Sequence, residues 1–360
     1  MKLLRFEITD PNGFRSLQAG FEHQFRTEWE LQQDYGFAPF VCAGPNGSGK
    51  SNLLEVLGAI FFQLEVLRVR RSFLPESFLY DEDENPHGFQ DGDGSPNGFE
   101  LEYLIRVPSE FRKSDSPEFA RVAISKKIGQ SPKINWLNQA DFKSDNPDAI
   151  SERERDFLLP QYVLGYSSGE NEILSLPFFK MRFIQFDEYW HALKTQLSYS
   201  GRPETRLAYL DSSFSQAILL CNLLFQDAET LILFREDVGI EHLKKFRIII
   251  KRSIEVSSDI AEGFGTENPA LSTDTETGVR RVNLIKLLEA DKDSADNFDP
   301  IVTRLKRCAT CSYEDESTDT LYLDYFVNEA TKEAFRENFD QSPVVLFQAL
   351  QVYLRWRLWQ

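Results

Sequence analysis

One stretch constrains this chain more than any other: Gly44-Pro45-Asn46-Gly47-Ser48-Gly49-Lys50-Ser51. It satisfies the spacing G-x-x-x-x-G-K-[ST], in which each residue type has a physical task. Glycines let the backbone curl until successive N–H groups point at one anion. A helix starting near Lys50 adds the positive end of its dipole. Lys50 is placed to reach β- and γ-phosphate oxygens, and the Ser51 hydroxyl to ligate a magnesium ion carried by those phosphates. The flanks agree with the pattern. Phe37 to Ala43 reads as a short, apolar, buried strand. Leu53, Leu57, Ile60, Phe61, Leu64 and Leu67 recur at three- and four-residue steps, which predicts a helix with one apolar face. The expected ligand is ATP with Mg2+, because no Asn-Lys-x-Asp guanine-reading motif occurs.

The formal net charge of −17 makes the chain repel naked nucleic acid on average. Local patches are another matter. Arg68, Arg70 and Arg71 form one basic cluster, and Lys244, Lys245, Arg247, Lys251 and Arg252 a second. Both read first as solvated faces. No segment is long and apolar enough to span a membrane, and charges interrupt the first residues, so no signal peptide is expected. Cys42, Cys221, Cys308 and Cys311 are scattered and suggest no disulfide framework, which points to a reducing cytoplasm. Cys308 and Cys311 form a single Cys-x-x-Cys pair with no second pair to complete a zinc site. They read as ordinary residues in or beside a strand. His23, His87, His191 and His242 show no metal-ligand spacing.

Elsewhere, residues 2–9, 19–26, 99–107, 121–127, 162–166 and 246–250 read as strands. Residues 213–224 and 346–359 read as helices. Residues 72–97, with two acidic runs, read as a solvated loop, and residues 131–146 as mixed and polar. Residues 257–278, rich in Gly, Ser, Thr and acids, are expected to be a flexible connection. Residues 304–311 and 320–326 are expected to pair as a hairpin around Glu314-Asp315-Glu316.

Finer features carry a resemblance. Asn46 ahead of Gly47-Ser48-Gly49-Lys50-Ser51-Asn52 resembles the ATP-binding cassette branch that includes SMC, RecF and related DNA-maintenance ATPases. Gly13-Phe14-Arg15-Ser16-Leu17 is similar to the Phe-Arg-Ser turn of those proteins, which makes Arg15 a second candidate near the nucleotide. Together with Tyr166-Ser167-Ser168-Gly169-Glu170-Asn171-Glu172 and Ala330-Thr331-Lys332-Glu333-Ala334-Phe335, these segments make the chain resemble the AAA/ABC-type ATPases associated with restriction systems. Those are similar to the Septu and retron-linked antiphage defence ATPases.

The resemblance implies an α/β fold: a P-loop NTPase, ABC/SMC-like lobe with a large mixed α/β insertion. It divides the chain into a lobe at 1–180 holding the phosphate loop, and a helical and β-hairpin region at 181–360. The latter would lead toward a C-terminal lobe that is not visible. It implies heads that self-associate around ATP, a possible HNH-type nuclease partner and possible contact with DNA. Ser167-Ser168-Gly169-Glu170 reads either as the signature motif or as a helix cap. The acid pair Asp187 and Glu188, after Phe183-Ile184-Gln185-Phe186, is a weak candidate for the strand-end acids of hydrolysis. Asp211, after Leu207-Ala208-Tyr209-Leu210, is another. Turnover by this chain alone is therefore doubtful. The leading reading is an ATP-binding subunit that gates a nuclease. A RecF/SMC-type repair ATPase and a non-hydrolysing nucleotide-binding scaffold are the alternatives.

Overall fold

The alternation of Leu4, Phe6 and Ile8 with Leu3, Arg5 and Glu7 gives β1, Lys2–Ile8, one apolar and one charged face. In the computed structural model, which describes residues 1–27, 29–30, 39–67, 96–144, 146, 149–167, 174–182, 184, 206–211, 214–264, 268–286 and 301–356, that pattern repeats across a sheet. Its further strands are β2 (Glu22–Gln24), β3 (Phe99–Arg106), β4 (Phe119–Lys126) and β5 (Lys133–Trp136). Their order is β2-β1-β3-β4-β5 and every pairing is antiparallel. Phe6, Ile8, Phe99, Leu101, Tyr103, Val122 and Ile124 line the buried face. The other face is ionic. Arg5 contacts Glu7, Glu22 at 2.6 Å and Glu100 at 3.2 Å, and Arg121 contacts Glu102 at 2.9 Å. Such partly solvated pairs set register more than stability.

The helix after the glycine-rich loop, α1 (Lys50–Val66), shares the core of that sheet. From Gly58 to Val66 it is buried on all sides rather than along one stripe, whereas Ser51 and Leu54 in its first half are exposed. Leu53, Val56, Ile60, Phe61, Phe62 and Leu64 are covered, and so are Glu55, Gln63 and Glu65. Leu67, expected on the buried face, is exposed. A Cβ on Gly58 would stand 3.4 Å from Phe178 of the helical segment 174–182. Two short strands, β6 (Val163–Gly165) and β7 (Leu207–Tyr209), pair in parallel in the same core. The helix α2 (Glu152–Leu158) begins with a capping box formed by Ser151 and Glu154. Its last residue accepts a 2.7 Å bond from the buried Tyr103 hydroxyl.

The described residues cluster in two compact units, Met1–Ile184 with Thr205–Tyr209, and the residues from Leu210 onward. The second unit holds α3 (Ser215–Phe225), α4 (Ile232–Glu236), β8 (Lys245–Lys251), β9 (Ser253–Val256), α5 (Ser258–Glu262), β10 (Leu271–Thr273) and β11 (Arg280–Asn283). After these come α6 (Ile301–Cys308), β12 (Cys311–Asp315), β13 (Thr320–Phe326), α7 (Glu329–Asn338) and α8 (Pro343–Trp356). Two antiparallel sheets result, β12-β13-β8 and β10-β11-β9. Tyr325 stacks on Phe246 with ring centres 4.4 Å apart and donates to the Leu305 carbonyl at 3.0 Å. The whole is mixed α/β.

Several expectations change. Residues 304–308 are helical, because Val302, Leu305 and Cys308 repeat every three residues and all three are buried. The hairpin therefore starts at Cys311. Residues 257–278 are not merely a connection. They contain α5 and β10, and Asp274 organises the turn into β11 by accepting from the Glu276 and Thr277 amides, both at 2.9 Å. Those donors hold its carboxyl below the usual range. Residues 131–146 contain β5. The acidic stretch and the Arg68, Arg70 and Arg71 cluster lie outside the described residues, apart from residues 96 and 97.

Arg206 ties this first unit together from inside. Its guanidinium is 2.7 Å from Asp156 and 3.8 Å from Glu65, and its own carbonyl accepts from the Val163 amide at 2.8 Å. Arg206 and Glu65 are both buried, whereas Asp156 is half-exposed. Removing one member of a buried pair costs several kcal/mol. Arg206→Ala should lower unfolding free energy by about 3 kcal/mol in urea titration, and Asp156→Asn by about 1 kcal/mol or less. Equal small losses would show that the buried charge on α1 does not need Arg206.

Candidate functional site

The candidate site begins with a segment that lacks regular structure. Residues 39–45 form no strand, and Val41 is 82% exposed. The expected strand at 37–43 is thus not present in its described part, and residues 37 and 38 lie outside it. Pro39 supplies the reason: without an N–H it cannot serve an interior ladder. Side chains hold the segment instead. Phe40 meets His23 and Phe25 edge-on, with centres 5.3 and 5.0 Å away, and Arg26 donates to the Pro39 carbonyl at 2.9 Å. The chain is therefore fastened to the β2 edge four residues before Gly44.

The loop then turns. Gly47 has φ of 82° and Gly49 of 86°, the left-handed region that side chains resist. Gly49 is the N-cap of α1. No side chain caps the helix there, and its first turn contains no acid. The first amides of a helix have no partner within it, so here they remain available to an external anion. Lys50 folds back over the loop, its Nζ 2.8 Å from the Gly44 carbonyl, 2.7 Å from that of Pro45 and 3.3 Å from Ser48 Oγ. Ser51 is exposed at the helix start. Gly44, Pro45, Asn46, Gly47 and Ser48 are also exposed, and Asn52 donates to Ser16 Oγ at 2.6 Å.

That last bond identifies the wall of the loop. Phe14 and Leu17 bond each other's backbone at 2.8 and 2.9 Å, closing a tight turn. A Cβ on Gly13 would lie 2.4 Å from the Leu17 carbonyl oxygen, so only glycine fits there. Leu17 and Ser16 face Gly49: its missing Cβ would be 3.0 Å from Leu17 Cδ2 and 3.4 Å from Ser16 Oγ. Arg15, itself at φ 54°, donates from Nε and Nη2 to Glu55 Oε1 at 3.1 and 3.0 Å. The structure therefore brings Arg15 to the first turns of α1 through Glu55. Sequence reasoning missed Glu55, and named Ser16 only as part of the Phe-Arg-Ser turn, with no role of its own. The available signal was an acid within an otherwise apolar helical run.

The remaining candidates fare differently. Asp187 and Glu188 lie outside the described residues, as do Phe183, Gln185 and Phe186; of the run before them only Ile184 is described, and it is helical, like residues 174–182. Phe178, Met181 and Ile184 are buried at three-residue spacing, which is helical repetition. Asp211 follows the buried β7 by two residues and is half-buried. Ser167 follows β6 in irregular backbone, whereas Ser168, Gly169 and Glu170 lie outside the described residues. Cys308 is buried at the end of α6, its thiol pushed up to about 12 by desolvation, and Cys311 is exposed at the start of β12. Ala330 to Phe335 belong to α7, where Thr331 and Phe335 are buried. Among the described residues no group of three or more His, Cys, Asp or Glu is placed to hold a metal ion, and no helix is long and apolar enough to cross a membrane. No family model, curated protein or solved structure matches the chain.

The two left-handed glycines give a direct test of the loop geometry. Gly47 has open space at its Cβ position, so Gly47→Ala should cost only the backbone penalty, about 1–2 kcal/mol. Gly49→Ala should cost more, because the new methyl also presses on Leu17. Thermal melts of both variants check the ranking. A Gly49→Ala protein as stable as Gly47→Ala would show that the turn at 13–17 does not seat against the loop.

Proposed function

We propose that the chain binds ATP with Mg2+ at Gly44 to Ser51, in the manner of P-loop ATPases of the ABC/SMC-like kind. The observation that supports this reading best is the junction at Gly49. A left-handed glycine opens a seventeen-residue helix whose first amides have no side-chain cap, directly beside a lysine folded over the same loop. Uncapped amides and a neighbouring cation suit a polyphosphate. The fit extends to the metal. Ser51 offers one exposed hydroxyl at the start of the helix, and in this reading the ion arrives on the nucleotide. When bound, magnesium would neutralise phosphate charge there.

In this reading Lys50 exchanges its three loop acceptors for phosphate oxygens. The loop amides bind the phosphate chain, Ser51 orients toward the metal, and the turn at 13–17 sets the loop's curvature through Gly49 and Asn52. Arg15 acts through Glu55 and is a positioning residue. The proposal is one of binding. With helix rather than strand at residue 184, no acid that positions a water is assigned. On the resemblance of the loop and of Phe14-Arg15-Ser16, the chain would serve as the nucleotide-binding subunit of an antiphage or restriction-type system. Its heads would pair around ATP and gate a nuclease of HNH type.

Isothermal titration separates the roles. Lys50→Ala should weaken ATP binding at least about tenfold while leaving the melt near wild type, since among the described residues Lys50 bonds its own loop. Ser51→Ala should weaken binding in magnesium and leave binding in EDTA nearly unchanged. Unchanged ATP affinity in Lys50→Ala would refute the assignment. Equal losses with and without magnesium would refute the role of Ser51.

A further inference from the structure

The basic cluster at 244–252 gains a partner from the fold. In the sheet β12-β13-β8, Leu321, Leu323, Tyr325 and Ile250 point into the core of the second unit. The opposite face is open to solvent at Lys245, Arg247, Ile249, Lys251, Tyr313 and Phe326 and partly so at Tyr322 and Asp324, while Thr320 at its end is buried. Register places Tyr313 beside Tyr322, Arg247 beside Asp324, Phe326 beside Lys245, and Thr320 beside Lys251. Tyr313 and Tyr322 are stacked, ring centres 4.8 Å apart and planes 11° apart. The Arg247 guanidinium lies 5.3 Å from the Tyr322 ring centre and 5.9 Å from that of Tyr313. Tyr313 is 44% exposed and Phe326 59% exposed. Lys245, Arg247 and Lys251 are exposed along one strand at alternate and near-alternate positions.

The two acids on this face are already engaged. Asp324 accepts both Nε and Nη2 of Arg247, at 2.5 and 2.8 Å. Asp315 accepts from Ser317 and Thr318 within its own turn. Lys251 donates to the Thr318 carbonyl at 3.1 Å, which keeps its charge at the end of the strand. The face therefore presents exposed aromatic rings between cations on a rigid sheet. Aromatic rings on an open sheet stack unpaired bases, and flanking lysines take backbone phosphates. Duplex DNA hides its base faces and would gain nothing from the rings. A chain this acidic has to bind nucleic acid locally if it binds it at all.

We propose that the solvent face of β12-β13-β8, with Tyr313, Tyr322 and Phe326 as stacking surface and Lys245 and Lys251 as phosphate contacts, binds single-stranded nucleic acid. Tyr313, on the outer strand of the sheet, offers the ring face turned away from Tyr322 to a base. Arg247 is held in place by Asp324 and steadies both rings. This site lies in the second unit and does not rest on the nucleotide reading.

The test is fluorescence anisotropy on the full chain, with ~16-nucleotide oligothymidylate, oligouridylate and a duplex of the same length, from about 50 to 200 mM salt. Binding of either single strand, more tightly than duplex, is expected, and the tighter arm tells DNA from RNA. Tyr313→Ala should weaken binding about tenfold with an unchanged salt slope, and Tyr313→Phe should bind within about twofold of wild type. Lys245→Ala with Lys251→Ala should reduce the magnitude of the salt slope by about 1.4. Lys127→Ala, in the other unit, should change nothing. Melting curves confirm that each variant is folded, and folding is expected because all these side chains are exposed. The proposal is overturned by no single-strand binding at the lowest salt, by duplex binding as tight as single-strand binding, or by wild-type affinity in both the Tyr313→Ala and the double lysine variants.

Discussion

The first unit depends on how α1 is held. A helix with Leu53, Val56, Ile60, Phe61, Phe62 and Leu64 turned in several directions must be covered on several sides, and such burial strands any charge it carries. Glu55 and Glu65 are such charges, one near each end. Arg15 reaches the first from the turn after β1, and Arg206 reaches the second from the residue before β7. Each pair couples α1 to a different piece of chain. The Arg15 pair fixes the turn that walls the glycine-rich loop. The Arg206 pair fixes the parallel strands and α2. The loop geometry is therefore set by packing behind it, and Gly49 sits where the two meet.

Local pattern made much of this readable from residues alone. Residues 2–9, 99–107 and 121–127 read as strands, and β1, β3 and β4 stand there with burial that alternates residue by residue. The glycine-rich loop and the start of α1 followed from spacing. What failed had identifiable causes. Phe-Ala-Pro-Phe-Val-Cys-Ala looked apolar enough for a core strand, yet Pro39 denies it a donor and Val41 faces solvent. Residues 257–278 looked flexible because acids, threonines and glycine are common in linkers. The same residues make turns: Asp274 bonds two amides, and Gly278 takes φ of 71°. The pairs of Glu55 and Glu65 were invisible for another reason. Their partners are 40 and 141 positions away in sequence, and no local period reports such a contact.

The candidate site shows the same division. Residue types and spacing nominated Gly44 to Ser51, the resemblance added Asn52 and Arg15, and the fold places Arg15, Ser16 and Leu17 against the start of α1. Spacing alone gave no means of choosing among the acids, and Asp187 and Glu188 lie outside the described residues. The basic run at 244–252 looked like an ordinary surface in sequence. Only strand register puts Arg247 over Tyr313 and Tyr322, residues more than sixty positions away.

On the proposed reading, the uncapped amides at the start of α1 and the loop ahead of it form a phosphate cradle walled by the turn at 13–17. Hydrogen–deuterium exchange with and without ATP and magnesium reads this directly, amide by amide. Slowed exchange centred on residues 46–52, with a smaller effect at residues 13–17 and none in the second unit, is the predicted result. Unchanged exchange at 46–52 under saturating nucleotide, or protection located elsewhere, would contradict it.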